Sequence, residues 1–147
     1  MNTDIDQQLA HMGSHARLEQ SGVETLTLER DDGTAYLVTV LRDPDGMRLH
    51  LTVRCSQPLP DVLTRPLFLH LAHQALEPMR GGDGIGIYPD SDRLTLYRTR
   101  DLRASILLAD EIASMLDLAE QWDSRLLEAT SNPLEPNQSP FIHGLMA

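Results

Sequence analysis

Two pairs of histidines have the spacing that places both imidazoles on one side of a helix: His11 with His15, and His70 with His73. A zinc site needs three or four ligands, and neither pair has a cysteine cluster or a Glu-x-x-His arrangement beside it. We therefore interpret these histidines as structural or surface residues. The sequence predicts no metal and no other cofactor.

The glycine-rich stretch Gly81-Gly82-Asp83-Gly84-Ile85-Gly86 is similar in composition to a phosphate-binding loop. Such a loop holds its anion with the N-terminus of the following helix and with a lysine. Here an alternating, strand-like run follows, and no lysine does. We therefore interpret the stretch as a plain connection.

Cys55 and two acidic pairs are the remaining candidates for catalysis. Cys55 occupies an inward position of an alternating apolar run, and no general base stands near it in the sequence. The pairs Asp43 with Asp45 and Asp110 with Glu111 could act as acid and base only in a cleft that raised one pKa. A turn and a solvated helix face explain them better, so no enzymatic activity is predicted.

The charge of the chain is strongly one-sided, because 22 Asp and Glu stand against 12 Arg and no Lys, which gives a net charge of −10. Such a field repels phosphate backbones and anionic lipids, so the charge argues against nucleic acid and membranes as partners. The only basic cluster consists of Arg93, Arg98, Arg100 and Arg103. We expect these arginines to pair with nearby aspartates rather than to form a binding site.

A long amphipathic helix over Ile106 to Leu127 is the element that organises the rest. Its apolar stripe recurs at steps of three and four residues, while acidic residues such as Asp117 and Asp123 largely occupy the other faces. The stripe consists of Leu108, Ile112, Met115, Ala119, Trp122 and Leu126. Such a helix needs a surface to pack on, and we assign Trp122 to the core rather than to a ligand cage.

Alternating runs upstream of this helix predict that surface. The runs 24–30, 35–41 and 47–55 form an antiparallel meander through turns rich in Asp, Pro and Gly, and a hairpin joins the runs 84–88 and 93–97. The second run is apolar on both faces, which indicates a strand covered on two sides. One cover would be a helix of the chain, and the other would be a partner.

The segment from Asp61 to Leu76 is predicted to be a helix that begins with a cap at Asp61 or Thr64 and ends before Pro78. Its apolar residues cover more than a single stripe of ~100°. A domain of this size can bury only one side of such a helix. A second copy of the chain in a twofold dimer is therefore the simplest cover for the other side.

A single domain over residues 1–129 is predicted, followed by a flexible tail rich in Pro, Asn and Ser over 130–147. A helix with Ile5, Leu9 and Met12 on one stripe opens the domain. The sequence shows neither a secretory signal nor a membrane span, and its single cysteine indicates a reducing compartment. We therefore predict a cytoplasmic location.

The order of helix, three-stranded meander, apolar helix, hairpin and long helix describes an α+β fold. With the runs GIGIYPDSDRLTLYRTRDL and LLADEIASMLDLAEQWDSRL and the acidic charge, the chain resembles the class I type III secretion chaperones, the CesT/SycE-like Tir chaperone family, over residues 5–128. This resemblance implies a homodimer without catalytic activity. It implies that the dimer binds the extended N-terminal segment of secretion effectors and keeps them competent for export.

The resemblance also implies site residues. It matches the dimer helix of the family to Leu67, Phe68, Leu71, Ala72 and Ala75, and Leu63 of the same apolar set joins this predicted interface. It matches the effector-binding surface to Ile5, Leu9, Met12, Leu37, Thr39 and Leu41. The number of effectors and a docking of the secretion ATPase stay open.

In the predicted mechanism an effector strand adds to an exposed sheet edge, and its alternate apolar side chains enter pockets lined by the first helix. The negative field of the protein would steer basic effector segments toward it. Two alternatives stay open at this point. One is a regulatory or adaptor domain that binds folded proteins, and the other is a small metal-dependent hydrolase that uses the histidine pairs.

Overall fold

A computed structural model describes residues 7–8 and 22–131 of the chain. In chain order the elements are β1 (Val23–Glu29), β2 (Ala35–Arg42), β3 (Arg48–Pro58), helix α1 (Arg65–Leu76), a 3₁₀-helix (Glu77–Arg80), β4 (Gly84–Ile87), β5 (Arg93–Asp101) and helix α2 (Leu108–Ser131). The predicted α+β class and the predicted order of these elements are confirmed.

Part of the sequence prediction lies outside the described residues. The predicted N-terminal helix is described only at Gln7 and Gln8, which are helical. The predicted effector-binding residues Ile5, Leu9 and Met12, the pair His11 and His15, and the segment 132–147 also lie outside.

The predicted meander and hairpin join into one five-stranded antiparallel sheet with the order β1-β2-β3-β5-β4. They join because β5 pairs along the free edge of β3, with Val53 opposite Leu96 and Arg48 opposite Asp101. Strand β3 is therefore the centre of the sheet. Strand β4 continues the sheet beyond β5, with Ile85 opposite Leu96.

The turn between β2 and β3 shows why its residues were strong turn signals. The backbone N–H of Gly46 donates to the carbonyl of Asp43 at 2.8 Å, and Gly46 has a φ of 73°, which favours glycine. The carboxylate of Asp45 accepts from the backbone N–H of Met47 at 2.9 Å. The short polar side chain thus stabilises the turn as an Asx motif does.

Three predicted ends were wrong because the elements are longer than their periodic patterns, and the start of helix α2 was wrong because it begins at Leu108 rather than at Ile106. Strand β3 runs to Pro58 after a register shift that follows Arg54, and β5 runs to Asp101 rather than ending at Tyr97. Helix α2 ends at Ser131 rather than at Leu127. The hydroxyl of Thr130 donates to the carbonyl of Leu126 at 2.9 Å within this last turn.

Helix α2 covers one face of the sheet and completes the core. All six residues of its predicted stripe are buried, which confirms the stripe and the assignment of Trp122 to the core. They pack on the inward rows of the strands, among which Leu26, Val38, Val53, Leu96 and Ile85 form one continuous row from edge to edge. Burial of these apolar side chains is the main stabilising term of the fold.

Helix α1 packs beside β4. Thr64 caps it, as predicted, by accepting the backbone N–H of Leu67 at 3.2 Å. The amide of Gln74 donates to the carbonyl of Asp83 at 2.7 Å and accepts the indole N–H of Trp122 at 3.2 Å. This one side chain therefore links α1 both to the segment before β4 and to α2.

Candidate functional site

The face of the sheet that points away from α2 carries accessible side chains. Two adjacent cross-strand rows define it, and we call this surface the open face: Thr27-Leu37-Arg54-Thr95-Gly86 and Thr25-Thr39-Thr52-Tyr97-Gly84. Residues of one row stand directly opposite one another, so their side chains interact across the strands.

Three predicted effector-binding residues lie together on this surface. Leu37, Thr39 and Leu41 occupy alternate positions of β2 on the open-face side, where Leu37 and Thr39 are half-buried and Leu41 is exposed. The apolar character of β2 on both faces is thus real, but α2 covers only the side of Val38. Within residues 22–131 no helix covers the other side.

A groove runs over the two rows. Its main cleft encloses about 480 Å³ between the sheet and the connection from β4 to β5, which forms one wall as residues 88–91. The floor consists of Leu37, Thr39, Thr52, Arg54 and Thr95. A second, more polar cleft of about 450 Å³ adjoins it and shares Leu37 and Arg54 with it. We call both clefts together the open-face groove.

The sequence interpretation missed part of this groove. Thr52 and Arg54 alternate with buried residues along β3, which was the available signal that they point to the same side as Leu37 and Thr39. Thr95 comes from β5, and no local pattern tells which strand β5 will pair with. Its place in the groove follows only from the pairing of β5 with β3.

The side chain of Tyr97 lies over Gly84 on the open face. A Cβ atom built at Gly84 would stand 2.1 Å from the ring, whereas one built at Gly86 meets nothing within 4 Å. The two glycines stand in the same strand and face the same side, so only one of them is required by a close approach. An aromatic ring over a strand glycine covers backbone that would otherwise be hydrated.

This contrast gives a matched pair of variants. Gly86→Ala is expected to leave the fold intact and to raise its stability by about 0.4–1 kcal/mol, because alanine restricts the unfolded chain. Gly84→Ala should push the far end of the exposed Tyr97 side chain away from the strand, so it should lack the gain in stability that is expected of Gly86→Ala. Urea unfolding followed by circular dichroism measures both. Equal effects of the two substitutions would contradict the described contact.

Helix α1 presents a second accessible surface. Of the predicted dimer residues, Leu67 is only 4% exposed, while Leu63 and Leu71 are half-buried against the same core. Phe68 is half-buried, and Ala72 and Ala75 are exposed. The most exposed apolar side chains of this region are others, namely Leu69, Leu76 and Met79. We call Leu69, Ala72, Ala75, Leu76 and Met79 the outer α1 surface.

The candidates for metal binding and catalysis that lie within residues 22–131 do not come together in one site. Among the residues that the structure describes, no group of three or more His, Cys, Asp and Glu could hold a metal ion. His70 is exposed, and His73 lies 3.3 Å from the carboxylate of Glu77 on the same helix. Cys55 is buried, as predicted, and burial, followed by the charge of Asp123, raises the pKa of its thiol to about 12. Such a thiol is not a nucleophile at neutral pH.

The predicted pairing of the arginine cluster is confirmed, and one of its members is the centre of a buried network. Arg98 is only 10% exposed and forms a two-point ion pair with Asp83, with both N–O distances between 2.6 and 2.7 Å. It also donates to Glu111 of α2 at 2.7 Å, and Arg100 donates to the same carboxylate at 3.0 Å. The network therefore ties β5 to α2 and to the segment before β4.

The charges of this network shift one another's pKa values. The hydrogen bond to Asp83 is the main cause that raises the pKa of Arg98. Burial opposes ionisation of Glu111, but the hydrogen bonds from Arg98 and Arg100 keep the pKa of its carboxyl below the usual value. Both groups are therefore charged at neutral pH.

A second buried network surrounds Asp123, which is 9% exposed although it was counted with the solvated faces of the helix. One carboxylate oxygen accepts the backbone N–H groups of Ser56 and Gln57 at 2.9 and 3.0 Å. The other accepts the hydroxyls of Tyr36 and Ser56 at 2.6 and 2.7 Å. Burial, followed by the hydrogen bond to Asp123, raises the pKa of Tyr36, so this phenol stays a donor.

Gln8 connects the N-terminal part of the chain to the start of α2. Its side-chain amide donates to the carbonyl of Ile106 at 2.9 Å, and its oxygen accepts the backbone N–H of Leu108. This N–H is one of the groups at a helix start that have no partner inside the helix. The described part of the predicted first helix thus lies beside the start of α2.

None of the helices in the described ranges is long and apolar enough to cross a membrane. A comparison with curated protein sequences found no match.

Two solved structures share the fold. A chain of the ExsC–ExsE complex has 23% sequence identity and a TM-score of 0.62, and the match covers 86% of this chain and 96% of that one. A chain of the HopA1–SchA chaperone–effector complex has 20% identity and a TM-score of 0.59, with 81% of this chain and 89% of that one covered.

The model of one protein family matches residues 5–123, which is most of the sequence and includes every strand and most of α2. Its description is that of a chaperone family, which supports the prediction of a protein without catalytic activity. The chain belongs to the Tir chaperone protein (CesT) family.

Proposed function

We propose that this protein is a homodimeric, cytosolic chaperone that holds the N-terminal segment of type III secretion effectors in an extended form before export. The observation that carries the proposal is the open-face groove, which contains Leu37 and Thr39 on a sheet whose other face is packed by α2. An extended chain can lie in such a groove and place alternate side chains into it.

Family membership and the similar structures support this proposal. The family is one of Tir chaperones, and one of the similar structures is a chaperone–effector complex. The groove crosses the strands β2, β3 and β5 and is bounded by the connection from β4 to β5, so an extended chain can lie along it. Docking of the same dimer on the secretion ATPase belongs to the proposal as a later step.

The effector part is tested by co-expression with each type III effector of the native bacterium, followed by purification and limited proteolysis. We expect a protected N-terminal effector segment that gains no helical signal in circular dichroism. Leu37→Glu should weaken the complex about 10-fold or more, because it puts a charge on the groove floor. The same change at Leu127, an exposed residue of α2, is the control. Protection of a folded effector domain would instead favour the adaptor alternative.

The dimer part rests on the outer α1 surface. Leu76 is 62% exposed, so Leu76→Glu costs a free monomer little, whereas it would place a charge without a partner inside an interface. We expect light scattering to give about twice 16.4 kDa for the wild type and for Leu127→Glu, and about 16.4 kDa for Leu76→Glu. Leu71 is less suitable, because it packs against the core of its own chain.

The result that would overturn the dimer is a wild-type mass of 16.4 kDa at micromolar concentration. A Leu76→Glu variant that stays dimeric with unchanged stability would place the interface elsewhere. Thermal unfolding of each variant separates loss of the dimer from loss of the fold.

A further inference from the structure

Arg54 stands in the centre of the groove floor with no charged partner. It pairs in register with Leu37 on one side and with Thr95 on the other, and its side chain is exposed. Within the described ranges its side chain makes no hydrogen bond and no ion pair. Arg93 and Arg98, on the neighbouring strand β5, each have an aspartate partner. In a chain with a net charge of −10, a cation left unpaired on a groove floor is notable.

Thr95 adds a second group without a partner to the same spot. It is only 6% exposed and lines the main cleft. Its hydroxyl is buried and finds no hydrogen-bond partner anywhere in the described part of the chain. Buried hydroxyls are nearly always paired in folded proteins. Arg54 and Thr95 are directly opposite each other, so their side chains are neighbours on the groove floor.

We infer that this part of the groove floor binds the carboxylate of an Asp or Glu side chain in the extended effector segment, an inference that rests on the proposed function. A carboxylate has two oxygens and accepts only, so it can take the parallel N–H groups of a guanidinium and a neighbouring hydroxyl at once. A lysine or arginine at the same place would meet Arg54 and be repelled. Leu37, beside Arg54, offers an apolar contact to the flanking effector residue.

This specificity is opposite to the one expected from net charge. The field of the whole chain attracts basic segments from a distance, whereas contact at the groove floor selects an acidic side chain. Two acidic residues line the open-face groove: Asp90 lines both clefts, and Asp92, which pairs with Arg93, lines the second one. Neither forms an ion pair with Arg54 within the described residues. Asp90 leaves the guanidinium available, but its charge should weaken the binding of an acidic side chain.

The test uses fluorescein-labelled peptides of alternating Val and Ser in which one central residue is Asp, Glu, Asn, Gln or Lys. Binding to the full-length protein is followed by fluorescence anisotropy. We expect the Glu and Asp peptides to bind about 10-fold or more tightly than the Gln and Asn peptides, because hydrogen bonds between charged partners are the strong ones. The Lys peptide should bind least.

Four variants test which residues of the groove cause the preference for an acidic peptide. Arg54→Gln should abolish the difference between the Glu and Gln peptides, and Arg54→Glu should invert it in favour of Lys. Asp90→Asn should tighten the binding of the Glu peptide, because it removes a negative charge from the wall of the cleft. Thr95→Val should lower the preference for Glu and also raise the melting temperature, because it removes a buried hydroxyl without a partner. A merely structural role of Thr95 would not change peptide selectivity.

The outcomes separate this inference from the proposed function. Wild-type protein that binds all peptides equally would overturn the acidic anchor and leave the effector chaperone standing. Wild-type protein that binds none of the peptides would overturn the inference, and the co-expression test with whole effectors would still decide the proposed function. If Glu135→Gln in the full chain tightened the Glu peptide, the chain's own C-terminal segment would be the occupant. If Arg54→Glu changed the mass in light scattering, a second copy of the chain would be the occupant of the groove. Either result would overturn the inference.

Discussion

Replacement of Asp123 by alanine is expected to lower the free energy of unfolding by about 3–5 kcal/mol, which is a large part of the stability of a small domain. The substitution removes the acceptor for two backbone N–H groups, at Ser56 and Gln57, and for the hydroxyls of Tyr36 and Ser56. Each buried donor that loses its acceptor costs about 1–3 kcal/mol, and water that enters the space recovers part of this.

Two controls make the Asp123 prediction specific. Asp123→Asn keeps one acceptor oxygen for the backbone groups, so it should lose much less stability than the alanine variant. Asp117→Ala makes the same truncation on the outer side of α2, where the carboxylate pairs with Arg30 in solvent, and should cost less than about 1 kcal/mol. Urea unfolding by circular dichroism measures all three. A loss for Asp123→Ala no greater than for Asp117→Ala would refute the network.

Arg98→Met is expected to cost a similar amount, about 3–5 kcal/mol. Methionine fills most of the arginine volume, but it leaves the carboxylate of Asp83 buried without its two-point partner. Glu111 keeps Arg100, so most of the loss comes from Asp83. The double variant Arg98→Met with Asp83→Leu should recover most of the stability, because it removes both buried charges.

A second arginine–aspartate pair, at the end of β5, serves as a control, because it is exposed whereas the pair of Arg98 and Asp83 is buried. Arg103 pairs with Asp101 at 2.6 Å, but its side chain is 68% exposed, so Arg103→Met should cost less than about 1 kcal/mol. Equal losses for Arg98→Met and Arg103→Met would contradict the assignment of Arg98 to a buried network.

The pH dependence of stability gives a check on Glu111 in the same network. Because the pKa of Glu111 is lowered from 4.5 in the native state, its contribution to stability is complete above about pH 4.5 and is lost as the pH falls through the lowered value.

The elements of this fold could be predicted from the sequence because each has a strong local signal. The steps of three and four residues in α2 leave only one face that can be buried, and turn residues such as Gly46 and Asp45 separate the strands. What local signals do not contain is the partner of each strand. The insertion of β5 between β3 and β4 is therefore a finding of the structure, and with it the place of Thr95 in the groove.

The buried polar networks were missed for a related reason. Asp123 comes four residues after Ala119 and three before Leu126, so it stands at the border of the buried stripe rather than on an outer face. Its acidic type suggested solvent, and its donors at Ser56 and Gln57 come from a strand end far away in the sequence. Arg98 was correctly expected to pair, but its burial depends on three elements meeting around it.

The pairing of β3 with β5 also determines how the chain can fold while it is being made. Strands β1 to β3 leave the ribosome first, but β3 gains its second neighbour only when residue 101 has emerged. At a translation rate of about 5–20 residues per second this interval lasts a few seconds. During that time a strand edge and the apolar face that awaits Trp122 are both uncovered. A nascent chain released before α2 is complete would therefore expose both surfaces to other chains and self-associate, so the protein depends on the completion of α2 to stay out of aggregates.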